Sequence, residues 1–488
     1  MFDLTDATVA YVDALVGLFL VFGVAIILYS LDDVFVDVVY WLMRFSGRIR
    51  AERSEITEQA LLERPQRPLA VMVPAWREED VIYEMLKTNA GHSATTIFFV
   101  GAYPNDAATQ REVLRAAAER PENIRLVVGP HDGPTTKADC LNAVIAAIGE
   151  YEKASNIEFA GYVLHDSEDV IHPLEFPLFS AVVSEFDFIQ IPVYSFRRSL
   201  LQMTAGTYMD EFAEFHNKDL YVRQRLTGVV PCAGVAACFS KKAIETLRVW
   251  RQAEVFDPVA LTEDYDVAFA MNNLGLKSAF ILNKAPYTLD IPSGTGELQR
   301  IATPLAIAAR EHFPSEYKAA YRQRARWLLG IGFQGASKLG WGNTLTERIF
   351  FLRDRKGILS GIIAVIAYFL AFNAVAILIL GTFSQEWRIA GYAMLDPTLR
   401  LVFFINIALL INRLIQRMIF TTTIYGWGQG LMAAPRVVFS NFINFSAALR
   451  ALYIYIWRHK VLGKPLSWDK TSHTIPTRLD AARTYIRT

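Results

Sequence analysis

Two hydrophobic patterns divide the chain: long apolar runs near both ends, and short apolar stretches that alternate with polar ones between them. The first run, Val9–Leu31, contains one charged residue, Asp13. As a helix rising ~1.5 Å per residue it measures ~34 Å, enough to cross a bilayer. A cleaved signal peptide needs a basic start and a small-residue cleavage site, whereas Asp3 and Asp6 precede this run. We therefore predict a retained membrane helix within residues 1–44.

Two later runs predict further membrane helices, at about residues 357–382 and 399–420. The first of them has no charged residue, and the second contains Asn406 and Asn412. Asn406 is either an interhelical hydrogen-bonding residue or part of a polar path. Basic residues flank these spans: Arg44, Arg48, Arg50, Arg53, Arg353, Arg355, Lys356, Arg413 and Arg417. By the positive-inside rule, this distribution places the chain after residue 44 in the cytoplasm.

Residues 424–457 are aromatic and apolar, but they are interrupted by three glycines and Pro435. Three polar residues recur every four positions, on one helical face: Arg436, Ser440 and Asn444. This pattern favours an interfacial amphipathic helix over a fourth span. We predict that a helix at about 428–457 lies in the inner-leaflet interface, with Arg436 and Asn444 facing polar groups and Phe439 and Phe442 facing acyl chains.

Residues 45–345 form the polar block, in which short apolar strands alternate with helical stretches. The predicted strands are Leu69–Val73, Ile97–Val100, Ile124–Val128 and Phe159–Leu164. This order predicts an α/β domain with a mostly parallel sheet covered on both faces, and such sheets bind ligands at the carboxyl ends of their strands. Neither a G-x-G-x-x-G nor a P-loop sequence occurs, so a dinucleotide site is not indicated. Residues 346–460 form the second membrane part, and 461–488 a cytoplasmic tail.

Composition supports this division and excludes other classes. The 488 residues are 52% hydrophobic and 20% charged, and the mean hydropathy is +0.23, which is unusual for a wholly water-soluble protein. The formal net charge is zero, which gives no support to nucleic acid as a partner. The three cysteines form no CxxC pair, which favours a reduced compartment.

Three polar clusters carry candidate chemistry. Asp166-Ser167-Glu168-Asp169 places three carboxylates directly after a predicted strand, which suits either a divalent cation or a helix N-terminus. Thr262-Glu263-Asp264 is either a capping element or a general base beside that site. Gln323, Arg326 and Trp327 share one helical face, which suits a phosphate and a sugar ring or, alternatively, a membrane-surface helix.

Together these clusters resemble the membrane-embedded family 2 glycosyltransferases, the cellulose and hyaluronan synthase type. Four motifs in the expected order carry the resemblance: Val73-Pro74-Ala75-Trp76-Arg77-Glu78-Glu79, Asp166-Ser167-Glu168-Asp169, Thr262-Glu263-Asp264 and Gln323-Arg324-Ala325-Arg326-Trp327. The match covers about residues 68–330. Two finer features, Tyr103-Pro104-Asn105-Asp106 and Trp468–His473, are similar to the NfrB group of inner-membrane glycosyltransferases, which are named for their part in phage adsorption.

The resemblance implies a GT-A domain, the nucleotide-diphospho-sugar transferase fold, inserted between membrane helices. It assigns nucleotide-sugar binding to Pro74, Ala75, Trp76, Glu78, Asp106, Lys137, Asp166, Lys470 and Thr471. It assigns metal binding to Asp166 and Glu168, the catalytic base to Asp264 with Glu263 beside it, and acceptor or diphosphate binding to Gln323, Arg324, Arg326 and Trp327. Trp76 replaces a common Tyr, Glu168 replaces the second Asp of the metal motif, and the usual Asp-Asp-Gly is missing at Asp106.

The implied function is inverting transfer of a sugar from a nucleotide sugar, favoured as a UDP-hexosamine, with Mg²⁺ or Mn²⁺. Its expected partners are the donor, a glycan or lipid-linked acceptor, the bilayer and an export partner in the periplasm or outer membrane. The resemblance favours polysaccharide elongation at the bacterial inner membrane, with the catalytic domain in the cytoplasm. Single transfer to a lipid carrier, glycoside hydrolysis and a binding-only receptor or transporter are the alternatives.

Overall fold

The computed structural model describes residues 4–49, 57–292, 298–464 and 466 of the chain. Its strands are β1 (Leu69–Pro74), β2 (Thr96–Ala102), β3 (Ile124–Val128), β4 (Gly161–Leu164), β5 (Phe188–Gln190), β6 (Val193–Ser195), β7 (Ala237–Ser240), β8 (Ser278–Phe280), β9 (Lys284–Pro292), β10 (Leu298–Ala306) and β11 (Ala309–Glu311). Seven of them form one sheet in the spatial order β3-β2-β1-β4-β7-β5-β8, while β9 pairs with β10 and β6 with β11.

The seven-stranded sheet is parallel except at β7, which runs antiparallel to both β4 and β5. All seven residues of β2 are buried, as are five of the six in β1. Such continuous burial is typical of a parallel sheet covered on both faces, where both sides of each strand meet apolar side chains. The predicted mostly parallel α/β fold is therefore confirmed, and the predicted strands coincide with β1 to β4.

Helices cover both faces of this sheet and connect it to the membrane part. They are α1 (Leu4–Phe45), α2 (Glu58–Leu62), α3 (Ile82–Asn89), α4 (Ala107–Glu119), α5 (Lys137–Ser155), α6 (Glu175–Val182), α7 (Met203–Glu214), α8 (Leu220–Thr227), α9 (Lys241–Trp250), α10 (Glu263–Asn273), α11 (Tyr317–Trp327), α12 (Gly335–Lys338), α13 (Leu345–Arg355), α14 (Gly357–Phe383), α15 (Gln385–Gly391), α16 (Pro397–Tyr425) and α17 (Trp427–Leu452). Side-chain caps fix several starts: Thr136 accepts from the Asp139 N–H at 3.3 Å, and Ser240 from the Ala243 N–H at 3.1 Å.

Four helical runs in the described residues are long and apolar enough to cross a membrane: α1, α14, α16, and α17 with its π-helical continuation Tyr453–Val461. Tyr11 bonds to Asn373 and Lys356 to Asp32, so α1 and α14 run antiparallel. Asn406 donates to the Gly23 carbonyl and Trp41 to Gln416, so α1 and α16 run parallel. Helix α14 therefore runs opposite to both α1 and α16, and the assignment of three spans stays a prediction.

The first helix is longer than the predicted apolar run, because ion pairs neutralise the acidic residues that follow it. Asp32 and Asp33 pair with Arg353 and Lys356, at distances between 2.5 and 3.3 Å. One turn further, Asp37 pairs with the buried Lys218. Since each charge has a partner, the helix continues to Phe45 and joins the membrane part to the α/β domain.

Helix α17 packs against the α/β domain near both of its ends. Near its start, the Gln429 side chain donates to the Arg198 carbonyl at 2.6 Å. Near its end, the Tyr317 hydroxyl of α11 donates to the Phe442 carbonyl and shares a hydrogen bond with Ser446, each at 2.8 Å. The helix runs through Pro435 without ending there.

The polar residues Arg436, Ser440 and Asn444 of α17 face protein, as predicted. Its two phenylalanines differ in their exposure. Phe442 is exposed, but Phe439 is half-buried and packs edge-on against the Tyr317 ring, 6.0 Å away. The prediction that Phe439 faces acyl chains is therefore wrong. Helix α11 therefore covers more of the surface of α17 than the face that carries Arg436, Ser440 and Asn444.

Candidate active site

The loop after β1 is fixed by Asp106, the acidic residue that precedes α4. Arg77 has a left-handed φ of 54°, and its N–H donates to Asp106 Oδ2 at 2.6 Å. The other oxygen, Oδ1, caps α4 by accepting from the Thr109 N–H at 3.4 Å. The Glu78 N–H donates to the Thr109 hydroxyl at 2.9 Å. Asp106, predicted to bind the nucleotide, thus also fixes the shape of the loop that carries Trp76.

Trp76 lies between Tyr103 and Gly133 in a small aromatic recess. The contact with Gly133 was not predicted from the sequence. The indole ring of Trp76 meets Tyr103 edge-on at a centroid distance of 5.0 Å. A Cβ atom on Gly133 would lie 2.4 Å from the indole, so only glycine fits there. Asn105 holds that glycine by two hydrogen bonds, of 2.7 and 2.8 Å, to its carbonyl and N–H. A Gly-Pro pair on a loop was the available signal, but its indole partner lies more than 50 positions away in the sequence.

Pro74 and Ala75, which were also predicted to bind the nucleotide sugar, shape the loop through their backbone. Pro74 ends β1, and the Ala75 N–H donates to the Gly101 carbonyl at 2.8 Å, which extends the β1–β2 ladder by one residue. Ala75 and Glu78 are both buried. The loop therefore presents Trp76 from a rigid base.

Lys137 lies at the centre of the charged groups at the carboxyl ends of the strands. It is the first residue of α5, and its Nζ donates to Asp166 Oδ1 at 2.5 Å and to the Gly234 carbonyl at 3.2 Å. Burial alone would lower the pKa of Lys137, but the carboxylates of Asp166, Glu263 and Asp264 raise it above its ordinary value. Lys137 therefore remains a cation among three acids.

The acidic residues after β4 differ in their partners. Asp169 points into the core, where its Oδ2 bonds to His165 Nδ1 at 2.7 Å and accepts from the Asp166 N–H at 3.1 Å. His165 Nε2 bonds to Glu175 at 2.6 Å. Burial opposes ionisation of His165, but the two carboxylates raise its pKa to about 10. Asp169 is thus a structural residue that fixes the backbone of Asp166.

Asp166, which is half-buried, and Glu168, which is buried, are carboxylates of the kind that bind a hard divalent cation. Glu168 accepts from the Ser167 hydroxyl at 3.1 Å, and Asp166 shares one oxygen with Lys137. Among the described residues, no three His, Cys, Asp or Glu side chains are placed to hold a metal ion together. Two carboxylates suit Mg²⁺ or Mn²⁺ when substrate phosphates and water supply the remaining ligands. The pair fits that kind of ion but not a cage made only of protein ligands.

Glu263 and Asp264 begin α10 beside Lys137. Burial and the neighbouring Asp264 raise the pKa of Glu263 to about 7, and burial also raises the pKa of Asp264, against the lowering effect of Lys137. A Cβ on Gly234, whose φ is +84°, would lie 2.6 Å from Asp264 Oδ2. Glu263 is buried and Asp264 is half-buried, and both have an elevated proton affinity, which is the condition for a general base.

The segment after α11 holds the loop that carries this pair, which the sequence did not reveal. Gln334 Oε1 accepts from the Leu261 N–H at 2.9 Å, and its Nε2 donates to the Val259 carbonyl at 3.2 Å. Gly330 allows Thr262 to approach so closely that a Cβ there would lie 2.4 Å from its hydroxyl. Both contacts come from the π-helical turn Leu328–Gln334, a type of distortion that is frequent at functional sites.

The predicted acceptor residues on α11 separate into two groups. Arg326 lies close enough to Glu263 and Asp264 to lower the pKa of both. Trp327 packs with Tyr208 at a ring distance of 6.2 Å. Arg324, in contrast, is buried against other helices and is not brought to the acidic pair.

The structure thus brings together Lys137, Asp166, Glu263, Asp264 and Arg326, from four separate segments of the chain. Gln323 is half-buried on α11, and its Oε1 is buried without a hydrogen-bond partner among the described residues. Lys470, Thr471 and the rest of the predicted Trp468–His473 loop lie outside the described residues.

A parallel sheet with one antiparallel strand, an acidic motif after β4 and a second acidic pair at the sheet edge together define a GT-A glycosyltransferase. The chain belongs to the family described as glycosyltransferase-like family 2, whose model matches residues 65–330. The chain therefore belongs to a glycosyltransferase family, as predicted. The family match confirms the predicted fold class.

Among named relatives, the chain is 39% identical over 459 residues to bacteriophage adsorption protein B of Escherichia coli strain K12. The bacteriophage N4 adsorption protein B of Escherichia coli O157:H7 aligns equally. Each alignment covers 92% of this chain and 60% of the relative, so the chain spans about 60% of the relatives' length. This agrees with the predicted resemblance to the NfrB group.

Solved structures align more loosely. A mannosyltransferase from Pyrobaculum calidifontis, in complex with GDP-mannose and Mn²⁺, is 14% identical with a TM-score of 0.45, covering 80% of this chain and 99% of that one. Glucosyl-3-phosphoglycerate synthase from Mycobacterium tuberculosis is 16% identical with a TM-score of 0.30, covering 53% and 78%.

Proposed function

We propose that the protein is an inverting, metal-dependent glycosyltransferase that transfers sugar from a UDP-sugar to a growing polysaccharide. The observation that carries the proposal is the cluster of charged side chains at the carboxyl ends of the strands. It combines Lys137, in contact with Asp166, with the adjacent carboxyl groups of Glu263 and Asp264. The cationic and acidic groups match the two needs of the reaction, a departing diphosphate and an attacking hydroxyl.

In the proposed reaction, Asp264 accepts the proton of the acceptor hydroxyl while that oxygen attacks the anomeric carbon. The bond from this carbon to the diphosphate oxygen breaks, and Lys137 and Arg326 offset the charge that develops there. Asp166 and Glu168 would hold Mg²⁺ or Mn²⁺, which supplies further positive charge for the diphosphate. A single base is sufficient for one displacement with inversion, whereas a glycosidase needs two catalytic carboxylates.

The recess around Trp76 is the proposed base site of the donor. Tyr103 meets the indole edge-on, and the Arg77 guanidinium carbon lies 5.1 Å from the centroid of the indole ring. We propose that the base stacks on the face of the indole, a contact that any base can make. Trp76 and Lys137 would therefore hold the two ends of the nucleoside diphosphate. A UDP-hexosamine is the donor that the family resemblance favours.

The proposed location is the bacterial inner membrane, with the catalytic domain in the cytoplasm, where nucleotide sugars are made. Both ends of α17 contact this domain, through Gln429 at Arg198 and through Phe442 and Ser446 at Tyr317, and ~20–25 Å of helix separates these contacts. A spanning helix would carry one end to the opposite side of the bilayer. We therefore keep α17 in the inner-leaflet interface and assign α1, α14 and α16 as the spans, an arrangement suited to elongation coupled to export.

The second candidate is single transfer to a lipid carrier. It is favoured by the contact between α11, which carries Arg326, and α17, the helix that we assign to the membrane surface. Purified protein in lipid nanodiscs, incubated with UDP- and GDP-sugars with and without Mn²⁺ or Mg²⁺, tests both. Metal-dependent release of UDP with polymeric product supports elongation. A single sugar on lipid supports the second candidate, and no nucleotide release from any donor contradicts both.

Topology is tested separately by labelling single cysteines with an impermeant reagent added from the periplasmic side. Ser384→Cys, at the outer end of α14, should react. Lys464→Cys, which follows α17, should react only after the membrane is opened. Reaction of the second position in sealed cells would show that the α17 segment spans.

A further inference from the structure

Arg324 lies between Gln323 and Arg326 on α11, yet its guanidinium is directed to two other helices. Its Nη1 donates to Glu211 at 3.0 Å, to Ser440 at 3.3 Å and to Asn444 at 2.5 Å, and its Nη2 donates to Thr207 at 3.0 Å. The side chain is 7% exposed. A group with this many partners has little capacity left for a diphosphate.

The partners belong to two helices that enclose α11. Thr207 and Glu211 stand one turn apart on α7, and the ring of Tyr208 lies 4.7 Å from the guanidinium carbon. Ser440 and Asn444 stand one turn apart on α17, and the Ser440 hydroxyl also donates to Glu211 at 2.6 Å. Arg324 therefore joins the helix of the active site to a catalytic-domain helix and to the membrane-interface helix at one point.

A second ion pair holds α17 to α7 on the same face. The fully buried Arg436 lies 3.0 Å from Asp210, and it donates to the Gln429 side chain at 2.9 Å. Gly206 faces this arginine so closely that a Cβ would lie 2.3 Å from Nη1. Because α17 is fixed along α7 in this way, Ser440 and Asn444 are rigid anchors for Arg324.

We infer that Arg324 is a positioning residue: it sets the rotation and depth of α11 by fastening it to α17, so that Gln323, Arg326 and Trp327 meet the reacting groups. This inference rests on the proposed function. A planar, bidentate guanidinium held from two sides fixes orientation as well as distance. The positions of the active-site residues on α11 thereby depend on the position of α17 at the membrane.

The test removes the membrane-side anchors and leaves Arg324 in place. In nanodiscs, Asn444→Ala and Ser440→Ala/Asn444→Ala should lower kcat about 10- to 100-fold, the loss typical of a misplacement of ~1 Å. The KM for the donor should change less than about twofold, because Trp76 and Lys137 still hold the nucleotide. Asn444→Asp retains an acceptor oxygen and should restore kcat.

The matched control is Asn441→Ala, on the same helix but bonded to Tyr368 of α14 at 2.6 Å. It should leave kcat unchanged. Hydrogen exchange of residues 317–327 gives a readout independent of catalysis, and it should rise in Asn444→Ala but not in Asn441→Ala. If Arg324 instead binds diphosphate directly, the double variant keeps full kcat and Arg324→Lys weakens UDP binding in proportion to its loss of activity.

Unchanged kcat and exchange in Asn444→Ala, or equal losses in Asn441→Ala, would overturn the inference. Wild-type protein that releases no nucleotide, with the exchange difference present, would contradict the proposed function and leave Arg324 as the link between α11 and α17.

Discussion

Gly234 offers a sharp test of how closely the catalytic pair is placed. Replacement by alanine puts a methyl group 2.6 Å from Asp264 Oδ2, whereas ordinary contact begins near 3.4 Å. The carboxylate must therefore withdraw by roughly 0.8 Å, and a misplacement of ~1 Å at a reacting group costs about 100-fold in rate. This corresponds to ~2.7 kcal/mol of transition-state stabilisation.

The same substitution also strains the backbone, since φ is +84° at this residue. The strain amounts to ~1–2 kcal/mol for an L-residue, and it needs its own control. Gly228 provides one: its φ is +72°, and a Cβ there would meet nothing within 4 Å. Gly228→Ala should lose stability similarly but retain its activity.

The assay is UDP release in nanodiscs, with thermal unfolding measured on the same samples. We expect Gly234→Ala to lose about 100-fold in kcat, with donor KM nearly unchanged, at a stability equal to that of Gly228→Ala. If both variants lost activity equally, the loss would come from backbone strain, and the placement of Asp264 as the base would be refuted.

Three further predictions concern the acids. Asp264→Asn should fold and bind nucleotide but transfer sugar ~10²–10⁴ times more slowly, because an amide cannot accept the hydroxyl proton; near-normal turnover would exclude it as the base. The raised pKa values of Glu263 and Asp264 mean that the base is protonated and lost as pH falls, so activity should rise with pH through the acid range. Glu263→Gln should move this rise in activity to lower pH, because the neighbouring negative charge is removed; an unmoved pH profile would show that the two do not titrate together. Asp166→Ala or Glu168→Ala should weaken divalent-ion dependence and UDP affinity together, because the ion would link the carboxylates to the diphosphate. Calorimetry with and without EDTA measures both. Unchanged UDP affinity and activity in EDTA would show that the acidic cluster is only structural.

The sequence by itself determined the features that rest on local pattern. Buried strands such as Leu69–Val73 need continuous apolar residues, and spans such as Gly357–Ser384 need length without charge, so both can be read directly from the chain. The acidic motifs at 166–169 and 262–264 were found because their residue types and order are diagnostic of a family. The periodicity of Arg436, Ser440 and Asn444 indicated which face of α17 meets protein.

Only the tertiary structure decided what each charge contacts, because those partners are far apart in the sequence. Asp32 does not end α1, since Arg353 and Lys356 neutralise it from more than 300 positions away. Asp169 turns inward to His165 although Asp166, three residues earlier, faces Lys137. Arg324 and Arg326 are two positions apart, but they point to different sides of a helix, and only packing against α7 and α17 separates a positioning residue from one beside the catalytic pair.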